Sequence, residues 1–121
     1  MNAPAKTVFV FGLYLVVMGL GLLIAPNATL GPLGFPPSTE VWPRIVGLLT
    51  LCLAAYYIAA ARTGLVPFFR WTVAVRSGVF VACGALVALK LAPAPLALIG
   101  VIDLAAACWT AWALHRTQPA S

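Results

Sequence analysis

The sequence predicts an all-α integral membrane protein, an antiparallel four-helix bundle with both termini on the cytoplasmic side. Three observations predict it. Hydrophobic residues make up 64% of the 121-residue chain and charged residues 7%, whereas a soluble domain carries about a quarter charged residues to wet its surface. Four apolar segments follow one another between short breaks, each close to the ~20 residues that cross the hydrocarbon. The few basic residues fall near segment ends, where they act as topology signals.

The first segment, about 7–24, follows Lys6 and stops at Ala25-Pro26-Asn27. Its apolar run exceeds the roughly 7–15 residues of a signal-peptide core, so it reads as a retained helix. Residues 25–40, APNATLGPLGFPPSTE, are rich in Pro and Gly yet partly apolar, which suits a loop lying along the membrane interface. Asn27-Ala28-Thr29 within it matches a glycosylation sequon, but its closeness to the bilayer works against use. The second segment, about 42–61, opens with Pro43, a residue suited to a helix's first turn. A short basic connection, flanked by Arg62 and Arg70, leads to the third segment, about 67–91. The turn Ala92-Pro93-Ala94-Pro95 then folds the fourth segment, about 95–114, back against the third, and the run ends at His115-Arg116. Ile24-Ala25-Pro26 resembles Leu91-Ala92-Pro93, a hint of two similar hairpins within one transmembrane domain, 1–121.

Orientation follows from the cations. Lys6, Arg62, Arg70 and Arg116 gather at one face, with Arg76 just inside it, while Arg44 and Lys90 mark the other. The richer face is cytoplasmic, so the long loop and the proline turn lie outside. Trp42, Trp71, Trp109 and Trp112, with Phe68 and Phe69, sit mostly near the segment ends, as an interfacial aromatic belt does. The net charge of +5 is scattered singly and does not suggest nucleic acid.

One acid interrupts the fourth segment, in Ile102-Asp103-Leu104. A carboxylate near a helix centre costs roughly 2.5–3.5 kcal/mol to insert, and about seven aliphatics return roughly 2–4 kcal/mol. The segment inserts marginally by itself, so Asp103 is expected to face protein rather than lipid. With the rise of about 1.5 Å per residue, Asp103 and Thr50 lie at similar depth, roughly 12 Å below the outer boundary. Lys90, Arg44 and Glu40 complete an expected outer polar cluster with them, Lys90 leaning inward toward Asp103. Nearer the inner face, Arg76, Tyr57, Tyr56, Thr110 and Tyr14 form an expected inner cluster around the arginine. Ala74, Gly78 and Ala82 repeat every four residues, low ground that lets another helix approach. Gly12, Gly19 and Gly21, and Ala107 and Ala111, offer the same.

Sites for chemistry are scarce. Cys52, Cys83 and Cys108 have no paired spacing, His115 is the lone histidine, and no nucleophile–base pair, phosphate loop or paired carboxylate is present. No metal, cofactor or catalytic residue is predicted.

Arg44-Ile45-Val46-Gly47, Tyr56-Tyr57, Arg76 and Asp103 resemble the pattern of small four-helix DoxX-like bacterial membrane proteins. The likeness covers nearly the full length in layout and rests on short motifs. It implies a multi-pass protein of the bacterial inner (plasma) membrane, and a role as accessory subunit. The leading expectation is a non-catalytic accessory or scaffold subunit that packs against a membrane-protein partner or a second copy. The alternative is a binding protein or carrier for a small lipophilic molecule or quinone, held between the helices near Asp103. That alternative requires a cavity.

Overall fold

The computed structural model describes residues 2–117. Every regular element among them is helical. Helix α1 spans Ala3–Ile24, α2 Pro26–Leu30, α3 Trp42–Thr63, α4 Val66–Ala88 and α5 Leu96–Thr117. All but α2 are long and apolar enough to cross a membrane.

Each boundary has a local cause. Helix α1 begins before the expected residue 7 because Asn2 caps it: the Asn2 side-chain oxygen accepts from the Ala5 amide at 3.0 Å, and Pro4 occupies the first turn. This satisfies one of the orphan donors of the helix start. It ends at Ala25, whose ψ of 72° departs from the helix as the residue before a proline tends to. Gly64 ends α3 with φ +67°, a left-handed conformation that glycine adopts without a Cβ penalty. Pro43 and Pro67 lie in the first turns of α3 and α4.

Two expectations are corrected. Residues 25–40 are not simply a loop. Pro26 starts the short helix α2, a 3-10 turn follows at Gly31–Leu33, and Gly34 with φ +93° ends it. Asn27 closes the segment on itself: its amide donates to the Ser38 carbonyl at 2.9 Å and accepts from the Ser38 amide at 2.9 Å. The sequon's acceptor nitrogen therefore already has a partner. Helix α4, in turn, stops at Ala88 rather than residue 91, and Lys90 turns away with φ 60°.

Packing is uneven. Helix α1 packs along α3, α4 packs along α5, and the two pairs meet mainly where α1 touches α5. Consecutive α3 and α4 scarcely touch. Glycines set the two close pairs. A Cβ on Gly47 would stand 2.7 Å from both the Gly19 carbonyl oxygen and the Leu23 amide nitrogen, so α1 and α3 approach backbone to backbone. A Cβ on Gly100 would lie 3.1 Å from the Cys83 Cβ, which sets the α4–α5 approach. The tightest core gathers Ala5, Val8 and Phe11 of α1 with Tyr57, Ala60 and Ala61 of α3, Phe69 of α4 and Leu114 of α5. Elsewhere large apolar side chains point outward, Val17 and Leu91 among them, each 72% exposed. Water would not tolerate such a surface and acyl chains would.

Candidate functional site

Two polar sites lie inside the apolar helices. The inner one is built on Arg76, which is 2% exposed. Its Nε donates to the Thr72 carbonyl at 3.2 Å, and its Nη2 donates to Thr72 Oγ1 at 3.1 Å and Thr110 Oγ1 at 2.9 Å. The hydroxyls pass these bonds onward. Thr72 donates to the Phe69 carbonyl at 2.9 Å, and Thr7 to the Pro4 carbonyl at 2.7 Å. Because Thr7 spends its single proton there, Thr110 is the donor in the 2.8 Å contact between Thr7 and Thr110. The chain of donors thus runs from Arg76 on α4 through Thr110 on α5 to Thr7 on α1.

Aromatic faces cover the rest of the cation. The guanidinium carbon lies 4.8 Å from the Phe11 ring centroid and 5.9 Å from that of Tyr57, within reach of cation–π attraction. Its Nη1 is buried and has no hydrogen-bond partner. An arginine so deep is held by hydroxyls, a carbonyl and rings rather than by a contacting carboxylate. No carboxylate among the described residues pairs with Arg76.

Asp103 occupies the outer site. Helices α3 and α5 both lean on α1 but scarcely touch each other, and the gap between them is a partly enclosed cavity of about 210 Å³. Asp103 lines it from α5, Thr50 from α3 and Tyr14 from α1, with Met18, Leu30 and Ile99 among the apolar walls. Thr50 donates its proton to the Val46 carbonyl at 2.7 Å. No hydrogen bond among the described residues involves the Asp103 carboxylate. The Phe11–Tyr14 stack, with centroids 5.4 Å apart, joins the two sites.

The expected clusters are partly regrouped. Arg76, Tyr57 and Thr110 come together at the inner site. Tyr56 does not join them; it is 66% exposed on the outer side of α3. Tyr14 stands at the cavity with Asp103 instead. Of the outer group, Thr50 and Asp103 share that cavity. Arg44 leaves it: its Nη1 donates to the Leu23 and Ile24 carbonyls at 2.6 and 3.2 Å, capping the C-terminal end of α1, where a cation complements the helix dipole. Glu40 lies with Arg44 in a separate, more open cavity of about 270 Å³ beside Asn27 and Ser38. The expected approach of Lys90 to Asp103 is not made, because α4 ends before it and Lys90 is exposed.

Thr7, Thr72 and Phe11 were not singled out from the sequence. Thr72 carried a usable signal, since it precedes Arg76 by four residues and shares its helix face. Thr7 and Phe11 reach Arg76 only through the packing of α1 on α4 and α5. The outward face of α4 is also unexpected. Ala74, Gly78 and Ala82 are all exposed, and nothing lies within 4 Å of a Cβ built on Gly78.

Among the described residues, no three His, Cys, Asp or Glu side chains come together as a metal ion would need. Neither a family model, nor a curated relative, nor a solved structure shows a significant likeness to this chain.

Proposed function

We propose that this protein is a multi-pass protein of a bacterial inner membrane that holds a small lipophilic molecule between α1, α3 and α5, against Asp103. The observation that carries the reading is the cavity itself, an apolar space with an acid on its wall that no neighbour engages. A carboxylate in such a setting costs free energy unless something bonds to it. A structural lock would show the opposite, a carboxylate whose acceptors are filled by the protein. The spans form an antiparallel bundle in this reading, with both termini cytoplasmic, and the DoxX-like layout accords with it.

Mass spectrometry of the intact protein released from mild detergent tests the proposal. The native protein should retain a small hydrophobic species that Asp103→Asn loses or exchanges while remaining folded. A wild-type chain that flies bare from native membranes, under conditions that preserve lipid adducts, overturns it.

A second reading, a non-catalytic accessory subunit packed on a membrane-protein partner or a second copy, draws support from one observation. The Ala74, Gly78 and Ala82 stripe faces outward with open space above Gly78, as an α4 face awaiting another helix would. Enzymatic chemistry has less behind it, because an isomerase for isoprenoid-like substrates needs an acid–base pair that a lone Asp103 does not supply.

A further inference from the structure

The cavity between α1, α3 and α5 is selective in the hydrogen bonds it can take. Asp103 presents two carboxylate oxygens, which only accept when ionised. Thr50 has given its one proton to the Val46 carbonyl, so toward the cavity it too can only accept. Tyr14 is the wall residue with a side-chain proton to give. Acceptors outnumber donors, and the remaining lining is apolar. An occupant that brought only acceptors would leave Asp103 unsatisfied, whereas one that brings a donor removes that cost.

Charge narrows the choice. Arg76 and Asp103 stand well inside the spans, while the other charged side chains lie near helix ends or in connections. The two formal charges cancel. A cationic occupant would leave a net positive charge among apolar helices, and an anionic one would face the carboxylate directly. Either is expensive among apolar helices. A neutral donor meets neither penalty, and a hydroxyl group is the simplest neutral donor that an apolar ring carries. Size sets the last limit. An enclosed cavity of about 150 Å³ takes up benzene, and this one, partly open, is about 210 Å³, so the part of the occupant held against Asp103 is about one ring and its substituent.

Resting on the lipophile-binding reading above, we infer that the site takes a neutral lipophile bearing a hydroxyl group on the ring held against Asp103. The Asp103 carboxylate accepts its hydrogen bond, with Thr50 and Tyr14 beside it. This distinguishes the occupant from ketones, ethers and quinones, which can only accept, and from lipophilic amines, which carry charge.

Three probes of one shape test it on the full chain in lipid nanodiscs, with protein-free discs as the partition control. Para-butylphenol donates and is neutral, para-butylanisole has no donor, and para-butylbenzylamine is a cation at neutral pH. The phenol should bind about tenfold tighter than the anisole, the scale of one hydrogen bond to a charged acceptor. Asp103→Asn should erase most of that preference, and Met18→Trp, which fills the cavity, should block both probes. If Asp103→Asn fails to fold, the phenol-to-anisole ratio on the native chain still decides. Equal binding of phenol and anisole, both blocked by Met18→Trp, overturns the hydroxyl preference and leaves the lipophile-binding reading standing. An amine that binds tightest overturns the neutrality argument. Failure of all three probes to bind overturns both.

Discussion

Thr110 shows how one hydroxyl can connect three helices. It accepts from Arg76 Nη2 and donates to Thr7, so a single side chain on α5 links α4 to α1. Thr110→Val keeps the shape and deletes both bonds, leaving the buried guanidinium with only the hydroxyl and carbonyl of Thr72 as acceptors. We expect a loss of about 1–3 kcal/mol, the range for an interior hydrogen bond to a charged group, and a much smaller loss for Thr110→Ser. Reversible unfolding in mixed micelles measures both. Equal stability of the Val and Ser variants would show that the network does not bear on folding. Arg76 itself is poorly replaced by Lys, whose point charge cannot span Thr72 and Thr110 in one plane while lying over Phe11.

Between elements, glycines decide which helices can approach. Gly47 meets backbone atoms of α1 at 2.7 Å, and backbone cannot swing aside as a side-chain tip can. Gly47→Ala should therefore push α1 from α3 and destabilise the protein by about 1–3 kcal/mol, the usual scale of overpacking. Gly78 sits over open space, so Gly78→Ala should be neutral or add up to about 1 kcal/mol through helix propensity. The opposite signs are the test, read as unfolding midpoints in the same micelles. If α4 carries a partner, Gly78→Leu should leave the chain folded and abolish copurification in mild detergent. A stability loss in Gly78→Ala would instead place this face inside the protein.

At the scale of the whole molecule, the distribution of cations predicts topology. Lys6, Arg62, Arg70 and Arg116 share one end of the long helices, and Arg44 and Lys90 the other. Green fluorescent protein fused to either terminus should fluoresce, and alkaline phosphatase at the same points should be inactive. Phosphatase inserted within 31–37 should be active, as the cation distribution predicts for that segment. The reverse pattern at the C-terminus would remove a span or invert the protein. The molecule also has an asymmetric interior. Its tight core lies toward the end that holds Arg76, while the other half opens into the Asp103 cavity. The proposed ligand would sit in the gap between α3 and α5, where those two helices scarcely touch.

Composition and segment length alone determined that the described chain is helical and carries four membrane-length apolar spans, because hydrocarbon admits few other solutions for a polar backbone. The break at Pro26 was legible for a local reason, because a proline restricts the residue before it; the glycine that ends α3 was not read from the sequence. The α2 helix was not legible, nor was the early end of α4, since each depends on where the chain must go next. Arg76 with Thr110 and Tyr57 was readable from depth and helical spacing. Thr7 and Phe11, the separation of Arg44 from Asp103, and the outward turn of the Ala74–Gly78–Ala82 stripe were not. In an apolar sequence every helix face looks fit for burial, so hydrophobic periodicity says little about which face meets which neighbour. Only the tertiary packing decided that, through the backbone contact at Gly47 and the threonine–arginine bonds that hold α1 against α4 and α5.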